Sequence, residues 1–478
     1  MAIGAPTLWT DICVLEYYSE EVKEAARIYL ERSRACPIFL TWFTESGRFY
    51  TDVPEIIGHL IVPAAERWQR ITLIAGNKAA PDALLAAMEP LDFPILRDIE
   101  ISCVPFVEPF SPTSTLCRSA PLLHRCRFRN FPSLPPLPSN LVVLDCVFMP
   151  LAVSSELDID LLLEFLPHVA HSLEHLRFGP PPASKIHPTP HTPKIPLENL
   201  KSLLITNSHV IMNHILVPNL TYFIALSSPE AETRETAEMF QGFSAPKLQS
   251  IQFQRTPLLP LLTKHNLPSM FPQLESVLLS GCADESAFVS LLDPPKPKKP
   301  SSLKKASKYP QKHRKVENPF PHLKELTISD MTIWTSLQAA IEKRLKNGDK
   351  SLRKIRLPRG DATETIMPHL RRWLPAQGIE LALYDPEELP ETAPEFQDEP
   401  CDEENALFFE LSMGGSGWDD DDDDDDDDYY WTERAMDHPD YELPSYLDPN
   451  LYWNEFGEDH DDEEDGYEDE DEEDDFYM

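Results

Sequence analysis

One short apolar phrase recurs along most of the chain and limits its possible folds more than any other feature. The phrase is apolar-x-x-apolar-x-apolar, as at Trp68, Ile71 and Leu73. Its eleven copies begin at Trp68, Leu96, Leu123, Leu141, Leu173, Leu200, Leu220, Leu248, Leu274, Leu323 and Leu352. Successive starts are 28, 27, 18, 32, 27, 20, 28, 26, 49 and 29 residues apart. Most of these intervals are close to the roughly 20 to 29 residues of a leucine-rich repeat, so the spacing predicts a repeat solenoid.

Each copy of the phrase predicts one short strand. The apolar side chains at the first, fourth and sixth positions are expected to fill the interior, and the polar residues between them to face outward. Between the strands, apolar residues recur at intervals of three and four, which predicts helices over 81–88, 157–169, 332–346 and 362–374. Parallel strands need crossover connections and a covered face. We therefore expect an α/β fold over residues 46–384, an irregular leucine-rich repeat solenoid whose curved parallel sheet carries helices on its convex side. A closing strand is expected at 379–383.

The acidic residues are concentrated at the carboxyl end of the chain. Residues 385–478 contain 42 of the 81 acidic residues and one basic residue, a net charge of −41, whereas residues 1–384 have a net charge of +2. Ten of the acidic residues are the consecutive aspartates Asp419 to Asp428. Such runs repel themselves, which predicts a disordered acidic tail over 385–478. Two interpretations of the tail stay open: a solubilising extension, or an acidic and aromatic segment that binds basic proteins such as histones.

A basic insert at 293–319 accounts for the longest interval between two phrases. It is rich in proline, serine and lysine and has few large apolar side chains, so it is expected to loop out as a disordered segment. The insert is either a solvated loop or a nuclear localisation signal. The candidate import residues are Lys296, Lys298, Lys299, Lys304, Lys305, Lys312, Arg314 and Lys315. Nucleic acid is not expected as a partner, because the insert has a single aromatic residue for stacking and the acidic tail would compete with phosphate.

The sequence has no signature of catalysis. It contains no phosphate-binding loop, hydrolase elbow, zinc-protease motif, dinucleotide fingerprint or kinase signature. We therefore predict that the chain is not an enzyme and has no catalytic residue, no cofactor and no metal site. No apolar run is long enough to cross a membrane, so no membrane partner is expected. The eight cysteines include no C-x-x-C pair, which favours reduced, buried thiols and an intracellular location, in the cytoplasm, the nucleus or both.

The first 45 residues carry a more specific pattern. The sequence APTLW, from Ala5 to Trp9, is followed by ICV, the predicted helix EEVKEAARIYLERS and the predicted strand CPIFLTW. This order resembles the segment that follows the F-box in a large group of mushroom-type fungal F-box and leucine-rich repeat proteins. The resemblance implies that residues 1–45 form an N-terminal cap. It also implies that the chain is the substrate-recognition part of an F-box subunit of a cullin-RING (SCF) ubiquitin ligase. The F-box itself would lie before Ala5, where only four residues stand. We therefore expect a missing or truncated F-box, and binding to a Skp adaptor only if an F-box lies upstream.

A solenoid that lacks catalytic signatures is expected to bind a protein on the concave face of its sheet. The candidate partner-binding residues are the outward-facing polar residues near the strands: Arg97, Glu100, Arg125, Arg127, Glu174, Arg177, Gln249, Gln252, Lys324, Glu325, Arg353 and Arg356. A protein ligand with acidic patches would complement this set, which is more basic near Arg125 and Arg353. The sequence does not identify the ligand. The alternative function is a free-standing interaction scaffold whose acidic tail binds basic proteins.

Overall fold

The computed structural model of the chain describes residues 6–14, 20–44, 56–75, 79–103, 120–129, 137–147, 159–179, 194–206, 210–227, 240, 243–292 and 319–385. The chain divides into two units, Met1–Phe409 and Glu410–Met478, and every described residue belongs to the first. The predicted acidic tail lies outside the described residues apart from Asp385, and so does the predicted basic insert apart from Pro319. The eight candidate import residues fall within the part of the insert that is not described.

Sixteen strands are present in the described ranges. They are β1 (Asp11–Val14), β2 (Ile38–Thr44), β3 (Trp68–Ala75), β4 (Asp98–Cys103), β5 (Arg125–Arg129), β6 (Val143–Val147), β7 (His175–Gly179), β8 (Ile195–Pro196), β9 (Ser202–Thr206), β10 (Ile215–Leu216), β11 (Tyr222–Leu226), β12 (Ser250–Gln254), β13 (Ser276–Ser280), β14 (Glu325–Thr327), β15 (Lys354–Pro358) and β16 (Glu380–Tyr384). Fourteen of them form one sheet in chain order, and the short strands β8 and β10 form a separate pair. All of the pairings are parallel. The prediction of one long parallel sheet with a closing strand at its end is therefore confirmed.

The register of the sheet follows the phrase. The fourth position of each copy lies opposite the fourth position of the next, as Ile71 does to Ile99 and Leu326 to Ile355. The apolar side chains at the first, fourth and sixth positions are buried in all eleven copies, and Leu352, at 7% exposure, is the most exposed of them. A slip of one residue would turn a strand's apolar set to the other face, so the repeated pattern fixes the register. The predicted inward positions are confirmed.

Two strands precede the first predicted copy of the phrase. Strands β1 and β2 belong to the same sheet, with Ile12 opposite Leu40 and Leu40 opposite Ile71. The sheet was expected to begin near Trp68, so that boundary was wrong. Trp9, Ile12 and Val14 fit the same apolar spacing, and the pattern could therefore have revealed the additional strand β1.

Helices occupy most of the described connections. They are α1 (Glu20–Arg32), α2 (Ala79–Met88), α3 (Ile159–Val169), α4 (Val210–His214), α5 (Leu258–Lys264), α6 (Leu267–Met270), α7 (Glu285–Leu291), α8 (Trp334–Lys346) and α9 (Asp361–Ala376). Short 3₁₀ segments lie at Pro6–Trp9, Val62–Arg67 and Met331–Ile333, and a π-helical turn at Ile57–Ile61. Helices α1, α2, α3, α8 and α9 match the predicted ones. Helices α4 to α7 have only four to seven residues, too few to give a clear helical period.

The helices pack on one face of the sheet. Their buried side chains, such as Leu84 of α2, Leu166 of α3 and Leu337 of α8, belong to the same hydrophobic cluster as the phrase residues. A second, smaller cluster consists of Val143, Leu204 and Ile224, which all come from strands. Within the described ranges the sheet therefore has one face covered by helices and another, the second face, on which strand side chains contact one another.

Within the segment that resembles the post-F-box region, Trp9 packs against α1. The edge of Trp9 meets Tyr29 of α1 at a ring-centroid distance of 5.0 Å, and the Arg32 guanidinium lies 4.5 Å from the centroid of the Trp9 ring. Arg67 holds the turn that follows α1. It donates hydrogen bonds to Leu30 O at 3.1 Å, to Cys36 O at 3.3 Å and to Ser33 Oγ at 2.5 Å.

Replacing Arg67 with alanine is expected to lower the free energy of unfolding by about 1 to 3 kcal/mol, because Ser33 is buried and would lose a partner. Denaturant titration of the full chain would measure the change. Arg27→Ala is the matched control, since Arg27 is exposed on α1 and, among the described residues, pairs with Glu24 and Glu31 of the same helix. Its removal should change stability little. Equal effects of the two substitutions would contradict the role of Arg67.

Candidate binding face of the sheet

The second face is built from two rows of side chains, one on either side of the inward fourth position. The third-position row runs Asp11, Phe39, Arg70, Asp98, Arg125, Val143, His175, Ser202, Tyr222, Ser250, Ser276, Glu325, Lys354 and Glu380. The fifth-position row runs Cys13, Thr41, Thr72, Glu100, Arg127, Asp145, Arg177, Leu204, Ile224, Gln252, Leu278, Thr327, Arg356 and Ala382. Neighbouring strands are about 4.8 Å apart, so adjacent members of a row are within contact distance of one another.

Charges of opposite sign alternate on this face between β3 and β5. In the third-position row, Asp98 lies between two arginines: its Oδ2 is 4.0 Å from Arg70 Nε and its Oδ1 is 3.7 Å from Arg125 Nε. Opposite charges on neighbouring strands stabilise a sheet, whereas like charges would oppose the pairing. At the amino end of the same row, partial burial raises the pKa of Asp11, an effect that the nearby Arg70 partly offsets.

Opposite charges are also adjacent in the fifth-position row, and Arg129 joins them from just outside that row. Glu100 Oε2 lies 3.5 Å from Arg127 Nη1, and its Oε1 lies 3.8 Å from Arg129 Nε. One strand further on, Asp145 Oδ1 is 3.7 Å from Arg177 Nε. We call these eight charged residues of the third- and fifth-position region the ionic cluster: Arg70, Asp98, Glu100, Arg125, Arg127, Arg129, Asp145 and Arg177. Its five arginines and three carboxylates give it a net charge of +2.

Asp145 is the most deeply buried member of the ionic cluster. Its side chain is 0% exposed, and neither carboxylate oxygen accepts a hydrogen bond. In the register, Asp145 lies between Arg127 and Arg177 on the two adjoining strands. A buried charge is tolerated only beside an opposite charge, so Asp145 depends on these two guanidinium groups and in turn limits where they can lie.

An apolar patch adjoins the ionic cluster. It consists of Val143, Leu204 and Ile224, which are buried, with Val142 and Tyr222 packed against them. The Tyr222 hydroxyl donates to Gln252 Oε1 at 3.1 Å, which ends the patch on the β12 side. The second face thus changes from charged to apolar between β7 and β9 in the fifth-position row.

The twelve predicted partner-binding residues do not form a single site. Seven lie in the two rows: Glu100, Arg125, Arg127, Arg177, Gln252, Glu325 and Arg356. Of these, Glu100, Arg125, Arg127 and Arg177 belong to the ionic cluster, and Gln252 borders the apolar patch. Glu325 and Arg356 form a separate ion pair of 3.5 Å on β14 and β15. Five steps of about 4.8 Å separate β7 from β14, so this pair is about 24 Å from the ionic cluster along the sheet.

The other five predicted residues precede their strands. They are Arg97, Glu174, Gln249, Lys324 and Arg353, and none of them belongs to the two rows. Their backbone carbonyls accept hydrogen bonds from the start of the next strand, as Arg97 O does from the N–H groups of His124 and Arg125. Their side chains are exposed or partly buried, and two of them form local pairs: Glu174 with Lys201, and Lys324 Nζ with Glu275 Oε2 at 2.6 Å.

The residues between the inward positions lie on the second face, as predicted, but in the middle of the sheet they are buried there and not all of them are polar. Arg127 is 5% exposed and Gln252 is 2% exposed, while Leu204 and Ile224 are apolar and buried. The physical reason is the register, which places each side chain of a row in contact with the side chains of the same row on both neighbouring strands. The predicted basic bias near Arg125 is also largely offset by Asp98, Glu100 and Asp145.

Several residues of the site were missed as candidates by the sequence analysis: Arg70, Arg129, Val142, Val143, Asp145, Leu204, Tyr222 and Ile224. A signal for some of them was present in the phrase. Its fifth positions are charged in the four copies from Glu100 to Arg177 and apolar in the next two, at Leu204 and Ile224.

The buried cysteines support the core. Burial raises the pKa of Cys146 well above its usual value, and burial also raises the pKa of Cys282 to about 12. Cys282 Sγ donates to Phe253 O at 3.2 Å, which ties a turn to the preceding strand. The described residues contain no group of three or more His, Cys, Asp or Glu that could hold a metal ion. None of the helices in the described ranges has the length and apolar character that a membrane crossing requires.

A comparison of the sequence with protein-family models and with curated proteins finds no match.

Proposed function

We propose that the chain is a non-catalytic protein-binding solenoid of the leucine-rich repeat class, and that its ligand binds the partly exposed arginines of the ionic cluster together with Val142 and Tyr222, the partly exposed residues of the apolar patch. The observation that carries the proposal is the register, in which Arg125 of β5 lies opposite Val143 and Arg177 of β7 lies opposite Leu204, so that the two surfaces adjoin. Apolar centres bordered by arginine are typical of protein interfaces. The in-register order of the strands supports the repeat architecture.

The chemistry of the face favours a ligand that presents carboxylates next to an apolar side chain. Arg70, Arg125 and Arg177 are partly exposed, and the ionic cluster keeps an excess of two positive charges. Guanidinium groups bind carboxylates through paired hydrogen bonds. Arg127 and Asp145 are too deeply buried for direct contact with the ligand. Their role is to position the neighbouring arginines.

We further propose that this ligand is the substrate of a cullin-RING ubiquitin ligase and that the chain is the substrate-recognition part of its F-box subunit. The stretch of sequence that begins with APTLW and ends with CPIFLTW resembles the post-F-box segment, and this step rests on that resemblance. It is supported by the packing of Trp9 on Tyr29 and by the place of β1 and β2 in the same sheet. A Skp adaptor would bind only through an F-box upstream of Ala5.

The test uses the double variant Arg125→Gln with Arg177→Gln. Proteins that bind the full chain would be identified by affinity capture, and each would be purified and titrated against the wild type and the variant. Loss of two charge-assisted contacts is expected to weaken binding by about 100-fold or more. Arg27→Gln on α1, away from the second face, is the matched control and should bind like the wild type. Equal affinities of the double variant and the control would reject the proposed face.

The second candidate function is an interaction scaffold whose tail binds basic proteins such as histones. It is favoured by the net charge of −41 over residues 385–478. Replacing Asp419 to Asp428 by asparagine separates the two functions. A ligand of the second face should keep its affinity for this variant, whereas a basic ligand of the tail should lose affinity and should be unaffected by the arginine substitutions.

A further inference from the structure

The last strand of the sheet borders a groove. Strand β16 pairs with β15 on one side, and no described strand pairs with its other side. Beside this free edge lies a hollow of about 640 Å³, lined in part by Leu381 and Leu383 of the strand and by Arg371 of α9. A second hollow of about 600 Å³ shares Arg371 and Leu383 with the first and is also lined by Arg359. The two hollows adjoin, and we call them together the end groove.

Part of the lining of the end groove is apolar. Leu381 and Leu383 lie opposite Ile355 and Leu357, which are completely buried, but they are themselves only partly buried. Elsewhere in the sheet each inward side chain is covered by the following strand, and no described strand covers these two leucines. Because removing apolar surface from water is favourable, the end groove can bind apolar side chains that have the spacing of the two leucines.

The backbone of β16 is ready to accept another strand at this edge. The Glu380 N–H donates to Arg353 O at 2.7 Å, and Tyr384 O accepts from the Arg359 N–H at 2.8 Å, so these positions face β15. Because peptide groups alternate along a strand, the N–H and C=O groups of Leu381 and Leu383 point to the free edge. Such an edge pairs readily with a further extended segment.

Helix α9 presents different side chains to the end groove and to the core. Leu370 and Leu374 belong to the hydrophobic core cluster. The groove is lined by Pro368, Arg371 and Pro375, which recur at intervals of three and four and therefore share one side of the helix. A helix packed against one more repeat would need apolar side chains on that side. The end groove is therefore better suited to an extended segment with polar groups than to a further helix.

Three arginines give the end groove a positive charge. Arg359, Arg371 and Arg372 line it, and all three are exposed. Among the described residues, no carboxylate forms an ion pair with any of the three. Glu380, the acidic residue of the lining, is 3.9 Å from Lys354. A second copy of the chain paired through the same edge would bring the arginines of both copies together, and this repulsion disfavours such a dimer.

We propose that the end groove binds an extended acidic segment of a partner protein as an added strand. The partner's backbone then pairs with the peptide groups of Leu381 and Leu383, and two of its apolar side chains, at alternate positions, cover these leucines. Carboxylates that flank the apolar pair on the same side of the added strand reach the three arginines. Such strand addition takes its affinity from main-chain hydrogen bonds and its specificity from alternate side chains. The site lies outside the ionic cluster and does not depend on the function proposed for the second face.

A titration with a synthetic peptide tests the proposal. The probe is the blocked, fluorescently labelled peptide Glu-Thr-Leu-Thr-Leu-Thr-Glu, which as a strand places both leucines and both glutamates on one side. We expect the full-length chain to bind it, as measured by fluorescence anisotropy. Arg371→Glu with Arg372→Glu should weaken binding by about 10-fold or more, because it reverses two charges of the groove. The double variant Arg125→Gln with Arg177→Gln is the control for the second face and should bind the probe like the wild type.

Two further peptides separate the two parts of the recognition. Replacing both glutamates of the probe by lysine keeps the apolar pair but opposes the arginines, and binding should weaken by about 10-fold or more. The peptide Glu-Thr-Thr-Leu-Leu-Thr-Glu has the composition of the probe but places its leucines on opposite sides of a strand, so it should also bind more weakly.

Hydrogen exchange resolved to single residues examines the backbone pairing. The amides of Leu381 and Leu383 should exchange rapidly in the full-length chain alone, and saturating probe should slow them by about 10-fold or more. The Glu380 amide is the internal control, since it already donates to Arg353 O, and its rate should change little.

Four results would overturn the proposal. One is equal affinity for the glutamate and lysine peptides. Another is loss of binding in the Arg125 and Arg177 variant but not in the Arg371 and Arg372 variant, which would place the probe on the second face. Unchanged exchange at Leu381 and Leu383 with saturating probe would rule out strand addition. Protection of these amides before the probe is added would show that the groove is already covered, and by a second copy if dilution removes the protection.

Discussion

Replacing Leu326 with alanine is expected to lower the free energy of unfolding by about 2 to 5 kcal/mol. Leu326 occupies the fourth position of its phrase and is completely buried between Val277 on β13 and Ile355 on β15. The substitution removes apolar contacts and leaves a cavity between strands that the sheet holds at a fixed spacing. Urea titration followed by circular dichroism would measure the loss.

The control for this prediction is Lys324→Ala, because Lys324 lies only two residues before Leu326 in the sequence. The Lys324 side chain is 54% exposed and its ion pair with Glu275 lies at the surface, so its loss should cost less than about 1 kcal/mol. If the two substitutions destabilised the chain equally, the fourth position of the phrase would not be a core position. The comparison thus examines the repeat pattern itself.

The strands and longer helices could be predicted from the sequence because their signals are local and periodic. Ile99 and Ile101 identify β4 without knowledge of any other part of the chain, and the apolar spacing of residues 332–346 does the same for α8. Repetition adds a second constraint, because parallel strands with the same pattern must align their fourth positions to share one core. Both kinds of information lie within a few residues of each element.

The character of the second face could not be predicted in the same way. Asp145 is buried because Arg127 and Arg177 lie on the strands at either side of it, and those neighbours are 18 and 32 residues away in the chain. A single copy of the phrase contains only an aspartate between two apolar residues, which resembles an exposed site. The burial of Ile224 likewise depends on Leu204 of the preceding strand. Only the order of the strands in the sheet reveals these contacts.

The second large effect is expected at a buried ion pair near the carboxyl end of α8. Arg344 is 2% exposed, and its Nη2 lies 2.5 Å from Asp349 Oδ2 and donates to Phe320 O at 2.9 Å. Burial lowers the pKa of Arg344, and the charge of Asp349 opposes this effect. Asp349 Oδ1 also accepts a hydrogen bond from the Ser351 N–H at 2.9 Å, which shapes the turn leading to β15.

Asp349→Ala is therefore expected to lower the free energy of unfolding by about 3 to 5 kcal/mol, because it leaves a buried guanidinium group without its counter-charge. The control is Glu342→Ala, which breaks the pair between Glu342 and the exposed Lys346 on the same helix and should cost less than about 1 kcal/mol. Adding Arg344→Met to Asp349→Ala should restore part of the lost stability, since the unpaired charge is then removed as well. A double variant no more stable than Asp349→Ala would show that Asp349 acts through the turn at Ser351. In that case the charge of Arg344 would not be the source of the loss.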